Sequence, residues 1–131
     1  MAASVVYIED RTSDAALVER VLSFLPDVRY VAAAEGKAGI VAARTLRPDV
    51  LLLDLQLPDM PGLEVLGTIR GEAATKDIPV VVISADAGPE FETAAYSAGA
   101  NAFLTKPIQV DKLLNVVEGL LAIGRARAPR A

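Results

Sequence analysis

At 131 residues with a net charge of −4, the chain suits one domain with a single core, and its acidic balance argues against a nucleic-acid surface. Though 53% hydrophobic, it holds no apolar run near the ~20 residues of a membrane span. Glu9 and Asp10 break its first apolar stretch, which has no charged leader, so a soluble cytoplasmic protein is expected. With no cysteine and no histidine, disulfides, thiolate metal sites, Ser–His–Asp triads and phosphohistidine are excluded. Carboxylates, hydroxyls, lysines and a hard metal ion remain as the available chemistry.

Strand-like and helix-like stretches alternate along the chain. "SVVYI" (4–8) is a β-branched run, followed by a helix over "SDAALVERVLSFL" (13–25). In that helix Ala16/Leu17, Val21 and Phe24/Leu25 recur at helical spacing, Thr12 or Ser13 is the expected cap, and Pro26 and Asp27 close it. "VRYVAAA" (28–34) reads as the second strand and "GKAGIVAARTLR" (36–47) as a small-residue helix ending before Pro48. "DVLLLD" (49–54) is the third strand, and "LEVLGTIRG" (63–71) the helix after a turn at Pro58, Pro61 and Gly62. "IPVVVIS" (78–84) is a second continuous apolar strand, and "PEFETAAYSAG" (89–99) a helix with Gly99 at C′. "NAFLT" (101–105) is the fifth strand. In "QVDKLLNVVEGLLAI" (109–123), Val110, Leu113, Leu114, Val117 and Leu120/Leu121 line one helical face. The domain is expected over residues 1–123, with a flexible tail over 124–131; the arginine-bearing "RARAPRA" reads as a frayed end or linker stub.

Five β–α repeats imply a parallel sheet covered on both faces, with right-handed crossovers and the flavodoxin-like order 2-1-3-4-5. In such a sheet ligands bind beyond the carboxyl ends of the strands. The first strand ends in Glu9 and Asp10, the third in Asp54, the fourth in Ser84, and the fifth leads into Lys106 and Pro107. Strand 2, the outer edge in this order, contributes only Glu35. The polar groups therefore converge on one crevice.

Three carboxylates there repel one another, at roughly 3 kcal/mol for a pair at ~5 Å and an effective dielectric near 20. A proton or a cation must relieve them, and oxygen ligands with open positions suit Mg²⁺. A loop carbonyl just past Asp54 can add a ligand. Acid cluster, metal, lysine and hydroxyl together make a phosphoryl site with Asp54 as acceptor.

The acid pair "ED", "LLLDLQLPDMPG", "VVVISA" and "GANAFLTKP" together resemble the receiver domain of two-component response regulators, over residues 4 to about 122. The spacings agree: 44 residues from Asp10 to Asp54, 30 on to Ser84 and 22 more to Lys106. The resemblance implies that Asp54 is the phosphoacceptor, and that Glu9, Asp10, Asp54 and the Gln56 backbone carbonyl hold Mg²⁺. It implies that Ser84 and Lys106 bind the phosphoryl oxygens, and that Phe103 is the switch aromatic, turning inward when the hydroxyl moves toward phosphate. It further implies a cognate histidine kinase or histidine phosphotransfer protein, a downstream protein partner, and a homodimer through the fourth helix, fifth strand and fifth helix. Glu9 stands where Asp is commoner, Ser84 where Thr is frequent, and Phe103 where Tyr is common, so the switch lacks a phenolic hydrogen bond.

Taken singly, these residues also have plainer readings. Ser84 is a satisfied strand-end hydroxyl, Phe103 a core side chain, Asp86 a solvated loop charge beside Gln56, and Ala94, Ala95 and Ala98 a packing face. Competing functions are a receiver-like interaction module that takes no phosphate, an aspartyl-phosphate hydrolase and a nucleotide-binding module. The hydrolase wants an acid two residues after the nucleophile, where Gln56 stands; "GKAG" is neither a P-loop nor GxGxxG. The expected protein is a phosphorylation switch rather than a turnover enzyme. No output domain is read after residue 123, which suits a stand-alone regulator, a relay intermediate or a receiver excised from a larger kinase or regulator.

Overall fold

The computed structural model describes residues 2–86 and 88–127. Ten elements alternate: β1 (Ala3–Ile8), α1 (Thr12–Leu22), β2 (Val28–Ala33), α2 (Gly36–Leu46), β3 (Val50–Leu53), α3 (Gly62–Gly71), β4 (Val80–Ser84), α4 (Pro89–Ser97), β5 (Ala102–Thr105) and α5 (Val110–Arg127). The strands form one sheet in the order β2-β1-β3-β4-β5, every pairing parallel. This is the flavodoxin-like arrangement expected from the alternation.

Side chains alternate between the faces of a strand, so each strand feeds two cores. Val5 and Tyr7, Leu52, and Val81 and Ile83 pack with Val18 and Leu22 of α1 and Leu113 and Val117 of α5. Val6 and Ile8, Leu51 and Leu53, and Val80 and Val82 pack on the other face with Ile40, Val65, Leu66, Ile69 and Ala95 from α2, α3 and α4. Because helices cover both faces, β3 and β4 are apolar at nearly every position and read as unbroken runs. Each fully buried Val, Leu or Ile contributes roughly 1.5–3 kcal/mol through removal of apolar surface from water.

The helices depart from expectation at their ends and at single positions of their buried faces. α1 ends at Leu22 with Ser23 as C-cap, short of the expected Leu25 and of the stop at Pro26 and Asp27. Its buried residues are Val18, Val21 and Leu22, whereas Leu17 is 37% exposed and Phe24, past the helix, 73%. Val21 and Leu25 pack on the core as expected, Val18 takes the place of Leu17, and Phe24 lies beyond the end of the helix. No side chain caps α1; Arg11 occupies the N-cap and Thr12 is already helical, so the expected cap does not form. On α5, Leu113, Val117 and Leu121 are buried, but Val110, in the first turn, is exposed. That helix continues to Arg127, past the expected end at Ile123; the rest of the predicted tail, 128–131, lies outside the described residues. The end of α4 is as expected. Gly99 has φ +112, its N–H donates to Tyr96 O, and the Ala100 N–H donates to Ala95 O, both at 3.0 Å, which is the Schellman arrangement. Among the described residues no helix is long and apolar enough to cross a membrane.

Candidate functional site

Sheet register brings the polar strand ends together. Ile8 pairs with Leu53, so Glu9 and Asp10 leave β1 level with Asp54 leaving β3. The backbone ties continue past the strands: Asp54 N–H donates to Ile8 O (3.0 Å), Glu9 N–H to Ala33 O (2.9 Å) and Lys106 N–H to Ser84 O (2.8 Å). Glu9, Asp54 and Lys106 thus spring from backbone positions held by the neighbouring strand.

The loop after β3 is built to stay close. Asp54 Oδ1 accepts the Gln56 N–H at 3.0 Å, Gln56 bridges to Pro61, and the Gly62 N–H donates to Leu55 O at 2.8 Å. A Cβ on Gly62 would lie 2.3 Å from Asp54 O and 2.5 Å from Leu55 Cα. Gly62 is required by this backbone approach. Asp59 fixes the far side of the loop, accepting the Gly36 N–H (2.7 Å) and Lys37 N–H (2.9 Å) at the start of α2. Those amides hold the Asp59 carboxyl below its usual range, Lys37 foremost.

Lys106 organises the charges. Its Nζ donates to Glu9 Oε1, to Asp14 Oδ2 at 2.9 Å and to Asp54 Oδ2 at 2.9 Å. The Lys106 side chain is 11% exposed, against 0% for Glu9, 7% for Asp54 and 22% for Asp14. Burial alone would lower the Lys106 pKa, but its hydrogen bonds to Glu9, Asp14 and Asp54 raise it above the usual lysine range. Burial likewise pulls Asp14 up, yet the Lys106 hydrogen bond and charge hold it lower than an ordinary aspartate. For Glu9, burial and then the neighbouring Asp54 push the carboxyl up to about 8, against the pull of Lys106.

Carboxylate oxygens of Glu9, Asp10 and Asp54 lie within 4.8 Å of one another. Glu9 Oε2 is buried with no hydrogen-bond partner, although the Tyr7 hydroxyl donates to Oε1 at 3.3 Å. An orphaned buried carboxylate oxygen beside two further acids, one of them exposed, fits a hard cation that keeps part of its water shell. Asp10, Asp54, Gln56, Ala85 and Lys106 line an open cleft of about 320 Å³, wide enough for a phosphoryl group.

The other sequence-derived candidates fall around this cleft. Ser84 is fully buried at the end of β4, and its Oγ accepts the Asp86 N–H at 3.0 Å. Asp86 is half-buried and accepts from Gln56 Nε2 at 2.9 Å in a solvent-exposed contact, so it is a loop charge that ties its loop to the one after β3. Phe103 is half-buried and packs on the core beneath α4. It also borders a cavity of about 130 Å³ with Ile108 and Lys112, on the α4–β5–α5 side. Of the alanine face on α4, Ala95 is buried and Ala98 packs against the same core, while Ala94 is half-buried and belongs to neither core. Sequence reasoning missed Asp14 and Asp59. An acid in the first turn of a helix is ordinarily a dipole partner, so nothing in the sequence separates Asp14 from that role.

The comparisons with known proteins bear on the family and the fold. The family described as response regulator receiver domain matches residues 5–118. The nitrate/nitrite response regulator protein NarL of Escherichia coli is 32% identical over 132 residues, covering 97% of this chain and 60% of NarL. The transcriptional regulatory protein KdpE of Mycobacterium tuberculosis is 40% identical over 86 residues, covering 66% of this chain and 37% of KdpE. The chain thus spans less than two thirds of the length of either regulator. Among solved structures, the receiver domain of sensor histidine kinase PA1611 from Pseudomonas aeruginosa superposes with a TM-score of 0.84 at 23% identity, covering 93% of this chain and 99% of that one. The Mn(2+)-bound form of response regulator Rcp1 superposes with a TM-score of 0.75 at 27% identity, covering 98% and 99%.

Proposed function

The chain belongs to the response regulator receiver domain family, and on that premise we propose that it is a Mg²⁺-dependent phosphorylation switch with Asp54 as phosphoacceptor. The observation that carries the reading is one carboxylate, Asp54, held in a lined cleft with Lys106 Nζ at 2.9 Å and the Glu9 and Asp10 oxygens within 4.8 Å. In the transfer, an Asp54 carboxylate oxygen forms a bond to phosphorus. The P–N bond to a histidine of a partner kinase or phosphotransfer protein breaks, and the leaving imidazole keeps the electron pair and takes up a proton.

Glu9, Asp10, Asp54 and the Gln56 backbone carbonyl are the residues that would hold Mg²⁺. When bound, the ion supplies charge neutralisation and coordination for the phosphoryl oxygens. A divalent cation in this fold has a parallel in the Mn(2+)-bound Rcp1. The Lys106 ammonium and the Ser84 hydroxyl serve the phosphoryl oxygens. Ser84 Oγ accepts the Asp86 N–H, which leaves its own O–H free to donate to a phosphoryl oxygen. Through both contacts Ser84 links the cleft to the β4–α4 loop, and Phe103 on the neighbouring strand follows its movement. The phosphorylated form is then selected by its extra contacts, and the α4–β5–α5 face presents the change to a downstream protein or a second copy. The role is that of a switch, with no substrate turned over.

Intact-mass measurement with acetyl phosphate and Mg²⁺ tests the reading. The wild-type chain should gain one phosphoryl group, a gain lost without Mg²⁺ and absent in Asp54→Asn. No adduct with either a small donor or a kinase extract would leave a receiver-fold interaction module that takes no phosphate.

A further inference from the structure

An ammonium group has three N–H donors, and all three of Lys106's are engaged, with Glu9, Asp14 and Asp54. A phosphoryl group on Asp54 needs one of them, so a carboxylate must let go. Glu9 and Asp54 belong to the oxygen cluster that would take a cation, and their hold on the lysine weakens as their charge is neutralised. Asp14 is not in that cluster. It sits in the first turn of α1, where the helix N-terminus also favours its negative form. A dipole partner needs no further contact, yet the Asp14 side chain reaches across to β5's end and meets Nζ at 2.9 Å.

Resting on the phosphoacceptor reading, we infer that Asp14 is a positioning residue that holds the Lys106 ammonium in the unphosphorylated protein and competes with the phosphoryl group for it. Asp14 lies against Glu9 as well, but it gives no oxygen to the Glu9–Asp10–Asp54 cluster, and its hold on the phosphoryl site runs through the lysine. It therefore sets how readily the cleft converts to its occupied form.

The test is a fluorine-NMR titration of beryllofluoride, a phosphoryl mimic, into the full chain at saturating Mg²⁺. Asp14→Asn should bind it about fivefold more tightly than wild type, the scale of one charge-assisted contact to a partly exposed partner. Asp14→Glu, which keeps the charge, should return toward wild type. Mg²⁺ affinity without fluoride, read by calorimetry, should not rise in Asp14→Asn. A merely structural lesion would weaken both ligands. The gain should persist at about 1 M salt, where the Debye length is about 3 Å; a gain that vanishes there is through-space repulsion and overturns the role. Wild-type binding with Asp14→Asn equal or weaker overturns the inference alone. No binding by any variant, wild type included, overturns it together with the phosphoacceptor reading.

Discussion

Burial and the neighbouring Asp54 push Glu9 up to about 8, so the metal-free cleft holds a proton there near neutral pH, and this couples folding to pH. An unfolded glutamate loses its proton near 4.5. Between these values the folded protein binds more protons than the unfolded chain, so stability falls as pH rises through the window. The contribution is complete below about 4.5 and lost as pH passes about 8. Asp14, held low by Lys106, contributes above the ordinary aspartate range and does not slope here. Lys106, held high, keeps its contribution throughout. Urea unfolding in EDTA between pH 5 and pH 8 should therefore show stability declining, by at most about 1.4 kcal/mol per pH unit. Glu9→Gln should flatten that slope, and an unchanged slope in the variant would assign it elsewhere. At this scale the sequence was partly legible. Asp54 stood out because a carboxylate ends an apolar run, and Glu9 because it adjoins Asp10 at a strand end. The proton on Glu9 and the contact of Asp14 depend on burial and on a helix packed beside a distant strand, which no local pattern encodes.

The elements were legible where hydrophobic pattern and punctuation agree. β3 and β4 announced themselves as apolar runs, and Gly99 as a helix stop, since its φ of +112 suits glycine alone. What escaped was the joinery between elements. Arg70, in the last turn of α3, donates from Nε to Gly99 O (2.9 Å), from one terminal nitrogen to Lys76 O (2.9 Å) and Ile78 O (2.6 Å), and from the other to Asn101 Oδ1 (2.9 Å). Asn101 Oδ1 also accepts the Val80 N–H at 2.9 Å. One guanidinium thus ties α3 to the chain entering β4 and to the α4–β5 turn. In sequence it is only a cation near a helix C-terminus, a common dipole partner. Arg70→Ala removes four hydrogen bonds and leaves half-buried carbonyls to find water, so thermal or urea unfolding should show a loss of about 2 kcal/mol. A loss under about 0.5 kcal/mol would mean water replaces the guanidinium at these carbonyls without cost. The site itself should persist, because Asp54, Glu9 and Lys106 are held by the β1–β3–β4 backbone and not by this junction.

Across the whole molecule, stability is distributed unevenly, and the unevenness falls where a switch would need it. β1, β3 and β4 form the sheet centre, with Val5 to Ile8, Val50 to Leu53 and Val80 to Ile83 all at 0% exposure. α3 buries Val65, Leu66 and Ile69 on this frame, whereas α4 buries only Ala95. β5 is an edge strand whose Ala102, Phe103 and Leu104 are half-buried and whose Thr105 is exposed. Burial of apolar area and enclosure of backbone hydrogen bonds set the cost of local opening, so the α4–β5 region should open without unfolding the rest. Native-state amide exchange checks this. Amides of β1, β3 and β4 should exchange only through global unfolding, and those of α4 and β5 at least about tenfold faster, equivalent to about 1.4 kcal/mol. Beryllofluoride with Mg²⁺ should then slow exchange in α4 and β5, because Lys106 and Ser84 lie at the ends of β5 and β4 and the ligand would engage both. Equal protection across all five strands and α4 would describe a single cooperative unit. In that case the cleft would have no softer element to move, and a signal written at Asp54 would have to be read at the cleft's own rim.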